Sequence, residues 1–158
     1  MIVGVLADTH IPKRARDLPA QAYQQLEGVD AIIHAGDVLV PEVLERLRRL
    51  APVHAVLGNN DHGLELPLRR ELTWDGVDVA IVHDSGPREG RARRLRGWFP
   101  AAQVVVFGHS HIPLNEWQDG LLLFNPGSPT DRRRQAHHTM GLLRIAGGEV
   151  AGEIICLD

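Results

Sequence analysis

Five short apolar runs, at residues 2–7, 30–34, 53–57, 77–82 and 103–107, each stop one to three residues before a polar cluster. No other feature restricts the fold of this chain as much. Runs this short, rich in Val, Ile and Ala, predict strands buried on both faces. The clusters that follow them are Asp8-Thr9-His10, Gly36-Asp37, Gly58-Asn59-Asn60-Asp61, His83-Asp84 and Gly108-His109-Ser110-His111. In open α/β sheets ligands bind in the crevice beyond the carboxyl ends of the strands. The pattern therefore gathers five clusters on one rim, although they are far apart in sequence.

Between the runs, residues 41–50 predict a helix: Pro41 suits a first turn, and Val43, Leu44, Leu47 and Leu50 recur on one face. Glu42 with Arg46 and Glu45 with Arg49 are spaced to pair at i,i+4. A weaker helix is expected over 18–27 and a third over 87–96, with Pro87 near its start and Gly97 near its end. After residue 111 the signals are those of hairpins, 114–118 with 121–124 around Asp119-Gly120, and 139–145 with 149–156 around Gly147-Gly148. The expected class is α/β, with a second, largely antiparallel sheet packed on the first.

The clusters supply two carboxylates (Asp8, Asp37), one amide oxygen (Asn59) and four imidazoles (His10, His83, His109, His111). This hard oxygen and nitrogen set suits a pair of divalent ions and is too large for one zinc. Two carboxylates and a bridging hydroxide against two divalent cations leave the site roughly one charge positive, which attracts anions. Each cluster alone also reads as a turn: Asp8 and Thr9 before Pro12, Asp37 after Gly36, Asn59 after Gly58. The i,i+2 spacing of Asp8 with His10, and of His109 with His111, would put both side chains on one side of an extended segment. His34 reads equally as a partner orienting a ligand or as a buried core histidine, and His54, His137 and His138 read as structural or exposed.

In this order the motifs resemble the calcineurin-like metallophosphoesterase superfamily, in particular its small cap-less bacterial and archaeal phosphodiesterases. The resemblance runs from Asp8 through Asn125-Pro126-Gly127-Ser128. It implies a two-sheet β-sandwich flanked by helices, in four αββα layers. It also implies a first metal held by Asp8, His10, Asp37 and His111, with Asp37 bridging, and a second held by Asn59, His83 and His109. Manganese is the first expectation, with nickel, iron or zinc admissible, since availability often decides. The implied activity is phosphoester hydrolysis, most directly of diesters, by a metal-bridging hydroxide, with Asp37, Asn59 and His62 the implied catalytic residues.

Two departures from the family stand out. Asn60 stands where larger relatives carry a histidine read as general acid, which leaves leaving-group protonation to His62 or solvent. Asp84-Ser85 replaces the Gly-His of the usual His-Gly-His. The competing reading is a non-catalytic metal-binding scaffold of the same fold, as in a retromer subunit. Loop 125–129 reads as a rigid turn with amides available to anions, and in the family it supports the metals. Arg132 to Arg134 admit a phosphate clamp or a solvated loop, and Arg88 to Arg96 read as a solvated helix face.

Length and charge narrow the partners. A chain of 158 residues suits one domain, 1–158, without a large recognition cap. A formal charge of −3 gives no strong nucleic-acid signal, although 16 of the 17 basic residues are arginine. No run approaches the roughly 20 apolar residues of a membrane span, and the N-terminus lacks a secretory pattern, so the expected location is cytoplasmic. The expected partner is a small phosphoester substrate, and the sequence leaves room for a homo-oligomer. The single Cys156 excludes an internal disulfide and is expected in a core or strand position.

Overall fold

The computed structural model describes residues 1–158. Along the chain the elements are β1 (Ile2–Leu6), α1 (Ala20–Leu26), β2 (Ala31–His34), α2 (Pro41–Arg48), β3 (Val53–Ala55), β4 (Arg69–Trp74), β5 (Val77–Val82), α3 (Arg91–Trp98), β6 (Val104–Val106), β7 (Leu114–Gln118), β8 (Leu121–Asn125), β9 (Thr139–Ala146) and β10 (Glu149–Cys156). They build two five-stranded sheets, ordered β10-β9-β1-β2-β3 and β4-β5-β6-β8-β7. In the first, β1, β2 and β3 are parallel and β9 and β10 antiparallel. The second is also mixed, because β5, β6 and β8 run parallel between antiparallel edges.

Alternation along each strand explains why the runs are apolar throughout. Val3, Val5, Ile33, Val79, Ile81, Val104, Val106, Leu122 and Phe124 fill the layer between the sheets. Their neighbours face outward onto helices: Leu6 and Ile32 against α1 and α2, and Ala80, Val82, Val105 and Leu123 against α3. Both faces of the central strands are dry, so neither face carries polar residues. The result is the expected αββα layering. No helix is long and apolar enough to cross a membrane.

Several local expectations are corrected. Strand β4 carries no apolar run: its residues alternate between exposed and half-buried, as on a charged sheet edge, and only Leu72 and Trp74 reach the core. Helix α3 starts at Arg91 rather than 87, because Gly90 sits at φ 69° outside the helical region, and the helix runs through Gly97. Its Arg94 is not merely solvated. It donates to the carbonyls of Ser85, at 2.8 Å, and Pro87, clamping the loop that follows β5. Helix α2 ends at Arg48, and Arg46 pairs with Asp17 at 3.1 Å rather than with Glu42. Cys156 is on a strand and exposed.

Phe124 joins the two sheets. It is fully buried, and a Cβ at Gly141 or Gly152, on the opposite sheet, would collide with its ring. The two glycines form the hole that the ring fills. Phe124→Ala is expected to lower unfolding free energy by about 3–5 kcal/mol, the usual cost of emptying a core aromatic site. Chemical denaturation checks this; a loss under about 1 kcal/mol would show that the sheets close over the gap.

Candidate metal centre

All seven expected side chains meet at the carboxyl ends of five strands: Asp8 and His10 after β1, Asp37 after β2, Asn59 after β3, His83 after β5, and His109 and His111 after β6. The backbone does not reach them as an extended segment. Asp8, His10, Asp37, His109 and His111 have φ of 54°, 45°, 59°, 73° and 61°, all left-handed. Asp and His tolerate that region better than most residues, yet each position still costs on the order of 1 kcal/mol. Side chains two apart converge here because the chain curls back at each, not because a strand alternates.

Asp37 Oδ2 lies 3.3 Å from His10 Nε2 and 3.4 Å from His83 Nε2. Asp8 Oδ1 stands 3.6 Å from His111 Nε2, 3.9 Å from His83 Nε2 and 4.0 Å from His10 Nε2. On the outer side Asn59 Oδ1 is 2.9 Å from His83 Nε2 and 3.2 Å from His109 Nδ1. Two buried triads result, Asp8/His10/His111 and Asp8/Asp37/His83, each with donor atoms within 4.8 Å of one another. Asn59 and His109 complete the second side from exposed positions.

Tautomers show what this pocket lacks. His83 Nδ1–H donates to the Ala35 carbonyl at 2.7 Å, and His111 Nδ1–H to the Asp131 carbonyl at 2.6 Å. In a neutral ring so held, Nε2 is a bare lone pair, and both Nε2 atoms face carboxylate oxygens. The Nε2 atoms of His10 and His111 are buried without any hydrogen-bond partner. Unsatisfied buried nitrogens of this kind are rare. A divalent cation satisfies lone pairs and carboxylates together, and imidazoles fixed through their other nitrogen are the usual metal-ligand arrangement. The donor set thus fits metal.

Protonation answers the same problem when no cation is present. Burial, with a smaller push from Asp37, raises the Asp8 pKa from 3.8 to about 7. Burial acts to lower the His83 pKa, but the hydrogen bond with Asp37 and the charges of Asp8 and Asp37 outweigh it and raise it. Burial lowers the pKa of His10 and His111, which favours their neutral forms. Burial would raise Asp37, but hydrogen bonds from His83 and Asn60 overcome it and hold the carboxyl well below the usual range.

Sequence reasoning missed the role of Asp61, while Asn60, loop 125–129 and His34, which it had singled out, prove to fix the loops. Asp61 is buried and accepts from three backbone amides, Asp37 N at 2.9 Å, Leu39 N at 2.8 Å and Gly58 N at 2.8 Å, pinning the Asp37 and Asn59 loops together. Asn60 points inward, its backbone N–H and Nδ2 donating to Asp37 at 2.8 and 2.9 Å. Loop 125–129 is buried, and its polar groups serve the fold rather than an anion: Ser128 Oγ donates to the Asp8 carbonyl at 2.8 Å and Asn125 Nδ2 to the Gly108 carbonyl at 3.2 Å. His34, fully buried, bonds Thr9 Oγ1 at 3.0 Å and accepts from Gly36 N at 3.2 Å, tying the loops that follow β1 and β2, and burial lowers its pKa to about 3. His62 is exposed and lines a cleft of about 450 Å³ beside His10 and Asn60.

Two outcomes follow from this geometry. A Cβ at Gly58 would overlap the carboxylate and backbone nitrogen of Asp37, so Gly58→Ala is expected to weaken divalent-ion binding about 10–100-fold, as loss of ligand support does; calorimetric titration showing unchanged affinity would contradict it. Below pH 7 a cation must displace the Asp8 proton, and with it the proton on His83. Ion affinity is therefore expected to fall at least about tenfold from pH 7 to 6, with protons released into buffer on binding. Equal affinity from pH 8 to 6 would show that neither group is displaced.

A sequence model of the calcineurin-like phosphoesterase superfamily domain matches residues 1–148. A Methanothermobacter thermautotrophicus protein described as a probable metallophosphoesterase is 38% identical over 159 residues, covering 98% of this chain and 92% of its own. A Methanocaldococcus jannaschii protein of the same description is 40% identical over 133 residues, 82% of this chain and 69% of its own. Among solved structures, a Thermotoga maritima protein overlays with a TM-score of 0.76 at 28% identity, over 99% of both chains. Vacuolar protein sorting 29 of Cryptosporidium parvum gives 0.84 at 19% identity over 98% and 97%, a likeness of fold alone. With the family's strand-end loops present throughout, the chain belongs to the calcineurin-like phosphoesterase superfamily.

Proposed function

We propose that this chain is a phosphodiesterase that works with two divalent cations, held by Asp8, His10, Asp37, Asn59, His83, His109 and His111. One observation carries the reading: two carboxylates and three imidazole nitrogens share a buried pocket in which His10 and His111 Nε2 have no partner. The mixed imidazole and oxygen set suits manganese first, with nickel, iron or zinc as alternatives. When bound, such a pair supplies charge neutralisation at a phosphoryl group and a strong nucleophile near neutral pH. The residual charge of roughly one positive unit matches a monoanionic diester better than a dianionic monoester.

The chain's own residues orient and neutralise. Asn60 holds both oxygens of Asp37, and the His109 backbone N–H holds the Asp8 carboxylate at 3.0 Å. Both contacts are in place before any substrate arrives, which organises the carboxylates beforehand. Asn60 is an amide committed to Asp37 and has no proton to give a leaving group. His62 in the open cleft and solvent remain as donors. This favours esters whose leaving groups depart without protonation. The absence of a dedicated acid next to the centre is also what favours the second reading, a metal-binding scaffold.

Turnover of an activated aryl diester by metal-reloaded protein separates the two. Asp37→Asn is expected to abolish hydrolysis while leaving the fold intact by circular dichroism, and wild type is expected to cleave aryl esters much faster than alkyl esters. Full activity in the variant would overturn the assignment of Asp37. A folded wild type that binds two ions and hydrolyses nothing would favour the scaffold.

A further inference from the structure

Nine non-glycine residues have left-handed backbone. Five are the proposed ligands named above, and two, Asp75 and Asp119, precede glycines in the turns between β4 and β5 and between β7 and β8, where that conformation is ordinary. The remaining two are Leu39, at φ 82°, and Arg133, at φ 50°. Both line the cleft beside His10. Strained backbone persists where surroundings over-determine it, and it concentrates at binding sites.

The charges in that cleft point the same way. Only one of its eight lining residues is apolar. Its single carboxylate, Asp131, is already paired with Arg14 at 3.5 Å. Lys13 and Arg133 line the cleft with no acidic partner, and Arg133 Nη1 donates to the His109 carbonyl at 3.4 Å, which anchors the guanidinium next to the centre. Two cations without a salt-bridge partner thus stand beside the proposed metal ligands in a chain of net charge −3. A concave, polar, cationic wall of this kind concentrates anions locally.

We propose that this cleft is a second anion subsite, which takes a phosphate of the substrate other than the one attacked, so that the preferred substrates are phosphoesters bearing a second phosphoryl group. Arg133 offers a planar fork to phosphate oxygens and Lys13 a point charge. The substrate class rests on the phosphoesterase reading; the subsite itself rests on the cleft.

The test is calorimetric titration of manganese-loaded protein with thymidine 3′,5′-bisphosphate and with thymidine 5′-phosphate, which differ only in the second phosphate. Wild type is expected to bind the bisphosphate at least about tenfold more tightly, the worth of one charge-assisted hydrogen bond. Lys13 and Arg133 are exposed, so the double variant Lys13→Met/Arg133→Met folds, which an unchanged melting temperature verifies, and it is expected to bind the two within about twofold of each other. Equal affinities in wild type, or a preference that survives in the double variant, would overturn the subsite. Hydrolysis of bis(4-nitrophenyl) phosphate by the same samples reports the function separately. Turnover without any preference removes the subsite and keeps the esterase; preference without turnover does the reverse.

Discussion

Two carboxylates that face bare imidazole nitrogens in a nearly dry pocket form the constraint to which the rest of this molecule answers. Asp8 and Asp37 are at most 2% exposed and both approach the same His83 nitrogen. Alone the cluster is unfavourable. Without a cation, burial raises the Asp8 pKa to about 7 and, over the opposing effect of burial, the neighbouring carboxylates raise that of His83, so both groups tend to hold a proton. A divalent cation removes the conflict at once, which is why the local groups read as a binding site rather than a hydrogen-bond network.

Holding such a cluster takes backbone that most sequences avoid. Five left-handed positions at roughly 1 kcal/mol each amount to a large share of the net stability of a small domain. They persist because each loop is tied twice, at its strand end and through a partner loop: Asp61 to three amides, Ser128 to Asp8, Thr130 Oγ1 to the Thr9 carbonyl at 2.6 Å. The sandwich supplies the base for these ties. Its central strands are packed on both faces and end together, so the loops start from rigid points.

Much of this was legible in the sequence because the chemistry and the strand pattern coincide. An apolar run that stops at a glycine and a histidine or carboxylate marks both a buried strand and the loop that presents a candidate ligand, as with Val104–Val106 and His109. What stayed hidden obeys other rules. Strand β4 is an edge whose stability comes from pairing with β5, not from its own apolar content. The role of Asp61 depends on backbone amides, which leave no trace in residue type. Spacing located the pairs Asp8/His10 and His109/His111, yet the extended geometry assumed for them was wrong, since φ is not encoded in spacing. Asn60 stood out as a departure from the family, but its contact with Asp37 appears only when the loops are folded.

The most direct measurement is anomalous diffraction at the manganese edge from crystals soaked in that ion. The account predicts two peaks among these side chains, one against Asp8, His10 and His111 and the other against Asn59, His83 and His109, with the Asp37 carboxylate between them. No peak in this pocket at saturating manganese, or a single ion that leaves one of the two sides bare, would contradict a two-metal centre and the function built upon it.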